Sequence, residues 1–283
     1  MRWLVTGAGG MLGHDVLARL QADRAEVVGL THTELDVTDA AAVESAFAEH
    51  RPDVVVNCAA YTAVDDAEAH EEDALAINGD GPSLLARAAA ARGSRLLHVS
   101  TDYVFAGDGT EPYAEDAKPA PRTAYGRTKL VGEEAVLDTL PTTGVVVRTA
   151  WLYGAHGSNF VRTMMRLEKE RDTLDVVADQ RGQPTWTADV AARLVELGDR
   201  PDAAGVFHAT SAGEATWCDL AREVFQLLGA DPGRVRPTTT EKFPRPAPRP
   251  AYSVLGHDRW ADFGMTTARD WRDALRDAFP SLR

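Results

Sequence analysis

Trp3-Leu4-Val5-Thr6-Gly7-Ala8-Gly9-Gly10-Met11-Leu12-Gly13 stands at the start of the chain and decides its fold. A short β-forming run ends in glycines, and a helical pattern (Leu12, Val16, Leu17, Leu20) follows at once. At this spacing Gly7 permits a tight turn, Gly10 lets a diphosphate approach the backbone, and Gly13 lets the helix pack closely on the strand. Met11 and Leu12 then begin the helix, where unpaired N–H groups and the positive dipole end receive phosphate. A glycine trio placed between a first strand and a first helix predicts dinucleotide binding, with a plain structural turn as the alternative.

Outward from this junction, strands are predicted at 3–6, 26–30, 54–59, 96–100 and 145–149, with helical patterns between them. The strands are nearly continuous apolar runs, as expected when both faces of a sheet are covered. Such alternation specifies an α/β chain with a Rossmann-like, doubly wound parallel sheet over residues 1–150 and right-handed crossovers. Beyond residue 150 the rhythm loosens into a smaller C-terminal α/β part, 151–283, expected to be discontinuous. Helices are predicted at 159–171, 189–197, 216–228 and 267–279, and strands at 174–178 and 206–209, with 172–210 partly returning to the main sheet. The stretch 234–250 carries Pro237, Pro244, Pro246, Pro248 and Pro250 and is predicted to lack regular structure. No internal repeat is evident.

The chain has 283 residues, 44% hydrophobic and 26% charged, the proportions of a globular protein. No apolar run is long enough for a membrane span, and no leader pattern precedes the first strand. A formal charge of −13 argues against nucleic-acid or anionic-membrane partners, so a phosphorylated ligand needs local donors. Cys58 and Cys218 are too few for a disulfide framework and lack metal-ligand spacing, which fits a cytoplasmic location.

Tyr125 and Lys129 lie four residues apart in a predicted helix and therefore project from one face. A cation beside a phenol favours the phenolate, so this pair reads as an acid with its tuner, or else as an exposed Tyr and Lys. Thr101 ends a predicted strand, where open α/β sheets bind ligands, and can hydrogen-bond a carbonyl oxygen; the alternative is a strand-end cap. The acid that selects NAD is expected after the second strand, but Thr31 stands there. No arginine demands a 2′-phosphate either, so NADPH or NADH is expected, with Glu34 bending back to the ribose as the competing feature. Asp36 and Val37 flank the adenine or start the next helix with Thr38 as its cap.

Together these motifs resemble the extended short-chain dehydrogenase/reductase family and, within it, the dTDP-4-dehydrorhamnose reductases. The marks are Gly7-x-x-Gly10-x-x-Gly13, Asn57 to Asp65, Ser100-Thr101-Asp102-Tyr103-Val104-Phe105, Tyr125-x-x-x-Lys129, Arg148 to Gly154, Asn159-Phe160-Val161, Asp179 to Thr185 and Arg249-Pro250-Ala-Tyr252-Ser253. The resemblance implies NAD(P)H-dependent reduction of a dTDP-sugar 4-ketone, with Thr101, Tyr125 and Lys129 catalytic. It places Ala59, Ala60, Tyr61 and Thr62 beneath the cofactor. Asp102, Tyr103 and Trp151 would face the sugar, with Asn159 and Arg249 near the diphosphate. Trp151 has a core aromatic as its rival reading, Arg249 a solvated charge, and Asp102 a turn residue. Asn57 reads as a structural amide, and His98 and His208 as core histidines. Some members hold Mg²⁺ between subunits with acids of the first helix; Asp15 lies there and reads first as an exposed acid. A homodimer is likewise an expectation of the resemblance alone.

Three alternatives stand beside this function. A dehydratase or epimerase shares the fold, but family dehydratases carry a Glu directly after the Thr-Asp pair, where Tyr103 stands here. A reductase of another 4-keto-6-deoxy sugar, such as the dihydrostreptose type, differs by a few pocket residues. A non-catalytic regulatory subunit of the same fold is the third.

Overall fold

The computed structural model describes residues 1–266 and 268–283. Its first half runs β1 (Arg2–Thr6), α1 (Met11–Ala22), β2 (Glu26–Leu30), α2 (Ala40–His50) and β3 (Val54–Asn57), then the short helices α3 (Val64–Ala67) and α4 (Glu71–Leu75). It continues through α5 (Gly81–Arg92), β4 (Arg95–Thr101), α6 (Ala124–Thr139) and β5 (Gly144–Thr149). After β6 (Leu152–Tyr153) come α7 (Phe160–Glu170), β7 (Leu174–Val177), β8 (Arg181–Gly182), β9 (Thr185–Trp186), α8 (Thr187–Gly198) and β10 (Gly205–His208). The chain closes with β11 (Ala215–Thr216), α9 (Trp217–Leu228), β12 (Val235–Thr238), α10 (Arg259–Asp262) and α11 (Trp271–Leu282).

Six parallel strands form the central sheet in the order β10-β5-β4-β3-β1-β2. The order turns at β1 and β3, where crossovers leave toward opposite faces, and the carboxyl ends there open the crevice in which such sheets take ligands. The return of 206–209 is realised by β10, which pairs with β5, while α8 packs against α1. Valines of β1, β3 and β5 are fully buried on both faces, in agreement with their continuous apolar runs. A separate apolar cluster gathers Tyr153, Val161, Phe225, Trp271 and Phe279 from the later elements.

Several expectations need correction. Val235–Thr238 pairs in parallel with β7, placing Pro237 opposite Val176, although 234–250 was expected to be irregular. A two-stranded ladder has only edge strands, and an edge strand tolerates a residue without an N–H. The strand expected at 54–59 ends at Asn57, because the chain there turns beneath the glycine loop. Asp39, not Thr38, caps α2, accepting from the N–H groups of Ala41 and Ala42. Of the terminal helix expected at 267–279, Thr267 lies outside the described residues; α11 starts at Trp271, capped by Asp270.

Gly7 adopts φ +65°, and a Cβ there would lie 2.6 Å from the Ala59 nitrogen. At Gly13 a Cβ would lie 2.9 Å from the Ala8 Cα and closer still to the Gly7 carbonyl. At Gly9 the nearest atom is Thr31 Cγ2 at 3.5 Å. Gly13→Val should therefore lower stability by ~1–3 kcal/mol or more through overpacking against backbone, while Gly9→Ala should be near neutral. Urea unfolding midpoints of the two variants check the contrast; equal effects would mean that the turn is not close-packed.

Candidate active site

Gly10 caps α1 without any side-chain hydrogen bond, so the first-turn N–H groups of the helix are left for a ligand. That is the arrangement a diphosphate needs, and the residues present fit a dinucleotide. Leu12 buries its side chain in the core, so only its backbone N–H can serve; Met11 is half-buried beside Gly154. At the end of β2 the Glu34 carboxylate accepts from Thr31 N–H (2.8 Å) and Thr31 Oγ1 (2.7 Å). These two bonds hold Glu34 below the usual carboxylate range and fold its charge back to the strand end beside Gly9. Asp36 is exposed and turns one carboxylate oxygen to Thr38 N–H and Oγ1, while Val37 is buried against Gly81.

The segment Ala59-Ala60-Tyr61-Thr62 leaves β3 under the Gly7 turn. Its backbone is pinned by Asn78, which accepts from Tyr61 N–H (2.9 Å) and donates to Tyr61 O (3.1 Å). The same amide donates to Thr128 Oγ1 at 3.2 Å, tying the segment to α6. Asn78 sits in a π-helical turn, Ala76–Asp80, inserted between α4 and α5. Such bulges re-aim side chains at functional sites. Sequence reasoning missed Asn78, since nothing local marks an amide that pairs across the fold.

Thr123 caps α6, accepting from Gly126 N–H, and this presents Tyr125 in the first turn and Lys129 one turn later. Thr101 closes β4 and does two things at once. Its hydroxyl accepts from Tyr103 N–H (3.2 Å), as a cap does, and donates to Asp102 Oδ1 (3.0 Å). Burial pushes the Tyr125 phenol up to about 12, against the partial opposition of the nearby Thr101 hydroxyl, and the Asp102 charge raises it further. The expectation that Lys129 lowers this phenol is corrected here: Lys129 Nζ donates to Val99 O at 2.7 Å and lies 3.3 Å from His98 Nε2. Tyr125 is thus a protonated phenol across neutral pH, which suits a proton donor.

Asp102 is buried beside Thr101, and its Oδ2 has no hydrogen-bond partner. Burial raises its carboxyl to about 6; the Ser253 hydroxyl, near it but outside bonding geometry, and Thr101 offset part of the rise. Tyr103 meets Tyr125 edge-on with ring centroids 5.7 Å apart. Trp151, a non-glycine residue at φ +46°, is half-buried and stacks on Trp217 at 3.6 Å, with Gly182 pressed against its indole. A left-handed, strained residue held by its surroundings is characteristic of a functional position. Trp217 went unnoticed in the sequence. Asn159 caps α7 instead of lying inside it, accepting from Arg162 N–H and donating to Gly154 O, so both ends of its amide are used within the chain. Arg249 is no solvated charge: it pairs with Asp65 at 2.8 Å, drawing the proline-rich segment onto the loop after β3 and beside Tyr103.

Asn57 has the structural role expected, and both His98 and His208 are buried. Asp15 is half-buried, not exposed, with one carboxylate oxygen unpartnered. It joins no group of three or more potential metal ligands among the described residues. No helix among the described residues is long and apolar enough to cross a membrane.

Fold and site together define an oxidoreductase of the short-chain dehydrogenase/reductase type. The RmlD substrate binding domain family matches residues 1–283, and the chain belongs to that family, the dTDP-4-dehydrorhamnose reductases. It is 60% identical to a probable dTDP-4,6-dihydroxy-2-methyloxan-3-one 4-ketoreductase of Streptomyces antibioticus, over 100% of this chain and 96% of that protein. It is 58% identical to a dTDP-4-dehydrorhamnose reductase of Streptomyces griseus, over 99% of this chain and 94% of that protein. The crystal structure of the Bacillus anthracis dTDP-4-dehydrorhamnose reductase, in complex with NADP, superposes with a TM-score of 0.95 at 37% identity, covering 99% of this chain and 98% of that one.

The raised Asp102 carboxyl has a stability consequence whose sign is fixed. The folded state favours the neutral form, so its contribution falls as pH rises from the ordinary 3.8 through about 6, and above that a buried charge is carried. Asp102→Asn should therefore raise Tm, by about 2–4 °C per kcal/mol gained, with the gain growing across that window and level above it. Thermal unfolding against pH checks this; a gain independent of pH would show that Asp102 does not titrate in the window.

Proposed function

We propose that the chain reduces the 4-keto group of dTDP-4-dehydro-β-L-rhamnose to dTDP-L-rhamnose, using NADPH or NADH, with Tyr125 as proton donor. The observation that carries this is a protonated, half-buried Tyr125 beside the Thr101 hydroxyl at the open carboxyl end of β4. The nicotinamide supplies a hydride to C4 when bound. Tyr125 gives its phenolic proton to O4, so the ketone becomes a secondary alcohol. Thr101 turns its hydroxyl from Asp102 to the same oxygen as negative charge develops. Residues 1–150 would hold the cofactor through Gly7, Gly10, the backbone of Met11 and Leu12, and the Ala59–Thr62 segment. Residues 151–283 would supply the sugar side, with Trp151 and Arg249 meeting Asp102 and Tyr103 from the sheet. Two free thiols suit the reducing cytoplasm.

A second reading, reduction of a different dTDP-4-keto-6-deoxy sugar, draws support from the high identity to the Streptomyces antibioticus ketoreductase. A dihydrostreptose-type substrate belongs to the same group. Parallel assays of nicotinamide oxidation with these keto sugars separate the readings, and turnover of dTDP-4-dehydrorhamnose by both NADPH and NADH is expected. Inertness toward that sugar with turnover of another would move the substrate and keep the mechanism. Tyr125→Phe should lower kcat by ~10²–10⁴ with NADPH binding nearly unchanged. Wild-type turnover in that variant would remove Tyr125 as the acid.

A further inference from the structure

Lys129 is buried at the end of a continuous polar chain that crosses the sheet, and the donors along it can be assigned one by one. Asn57 Oδ1 accepts from Thr6 Oγ1 (2.6 Å) and from Ala59 N–H (3.1 Å). A backbone N–H can only donate, so this end of the amide is the oxygen and the other end is the NH₂. That NH₂ lies 3.0 Å from His98 Nδ1, which must therefore accept. A histidine accepting at Nδ1 is not an imidazolium, and its one ring proton is on Nε2. Nε2 in turn lies 3.3 Å from Lys129 Nζ, whose own donated bond goes to Val99 O. Thr6, Asn57, His98 and Lys129 are all buried, so water does not compete for these groups.

Resting on the reading of the chain as a reductase with Lys129 in its site, we propose that His98 is a positioning residue for the reaction: its Nε2–H points at the Lys129 nitrogen, holds that side chain against Val99, and favours the uncharged amine. A fixed donor facing an ammonium is repulsive, whereas facing an amine it makes a hydrogen bond. The surroundings act in the same sense. Burial pushes Lys129 down to about 8, with Glu133 and the Cys58 thiol pulling the other way. Glu133 is itself engaged by Arg148 of β5, in a buried pair at 2.7 Å. Asp102 and Tyr125, on the site side of α6, act on each other. His98 stays well below its ordinary value because of burial and the Lys129 charge, consistent with a ring that never gains a second proton. The charge of Lys129 is thus biased from behind by a chain that begins at Thr6.

Two measurements test this. In the full chain labelled with ¹⁵N-histidine, the His98 signals, identified by their loss in His98→Gln, should show a protonated Nε2 and a bare Nδ1 throughout the neutral range. A proton on Nδ1, or an imidazolium, would overturn the proposal. The sequence holds only four lysines, Lys118, Lys129, Lys169 and Lys242, so ¹³Cε spectra follow Lys129 directly. In His98→Leu the Lys129 midpoint should rise by about one pH unit, and the alkaline limb of kcat/KM for ketone reduction should move with it. A merely structural histidine would lower stability or kcat and leave both unmoved, which would also overturn the proposal. If His98→Leu fails to fold, the tautomer spectrum of the wild-type chain decides alone. A shifted Lys129 midpoint in a chain that reduces no keto sugar would refute the reductase reading and leave this inference standing.

Discussion

The side chain of Asn57 is the constraint on which the site depends. It lies fully buried at the carboxyl end of β3, between β1 and β4, and receives Thr6 from one neighbour while giving to His98 of the other. By accepting also from Ala59 N–H it turns the chain out of β3 directly beneath Gly7. An unpaired buried amide costs a few kcal/mol, so losing any one partner would strain the others. The glycine turn, the segment beneath it and the lysine of α6 are therefore fixed by one group. None of these elements is adjacent in sequence.

What was legible in the sequence was local. The Gly7–Gly13 turn, the apolar strands and the four-residue spacing of Tyr125 and Lys129 each declare themselves within a dozen residues. Pairings across the chain were not legible: Asn78 holding Tyr61, Trp217 backing Trp151, and Arg249 reaching Asp65 join positions that only the fold brings together. Pro237 misled because proline excludes a central strand but not an edge one, and edge status is a property of the finished sheet. For Lys129, spacing predicted the shared face with Tyr125. It could not reveal that the amine turns to Val99 and His98.

The site carries features that a stability-optimised protein would avoid: a buried carboxylate in Asp102, a buried lysine, and a tryptophan in the left-handed region. Each conflicts with a local rule, and all gather around the carboxyl ends of β4 and β5. Such conflicts are expected where chemistry is done and are offset by the packed sheet below. The second cluster, around Trp271 and Phe279, anchors the elements that bring Trp151 and Trp217 to the same place.

The central claim is a net reduction in which hydride comes from the nicotinamide and the proton from the protein. Reduction of a dTDP-4-keto sugar with NADPH deuterated at C4 of the nicotinamide tests it directly, with the product sugar read by NMR. Deuterium at C4 of the product, in stoichiometric yield with oxidised cofactor and with the hydroxyl hydrogen exchanging with solvent, is the predicted result. Product without deuterium, or sugar conversion without net cofactor oxidation, would contradict the account and point to the internal oxidation and re-reduction of an epimerase.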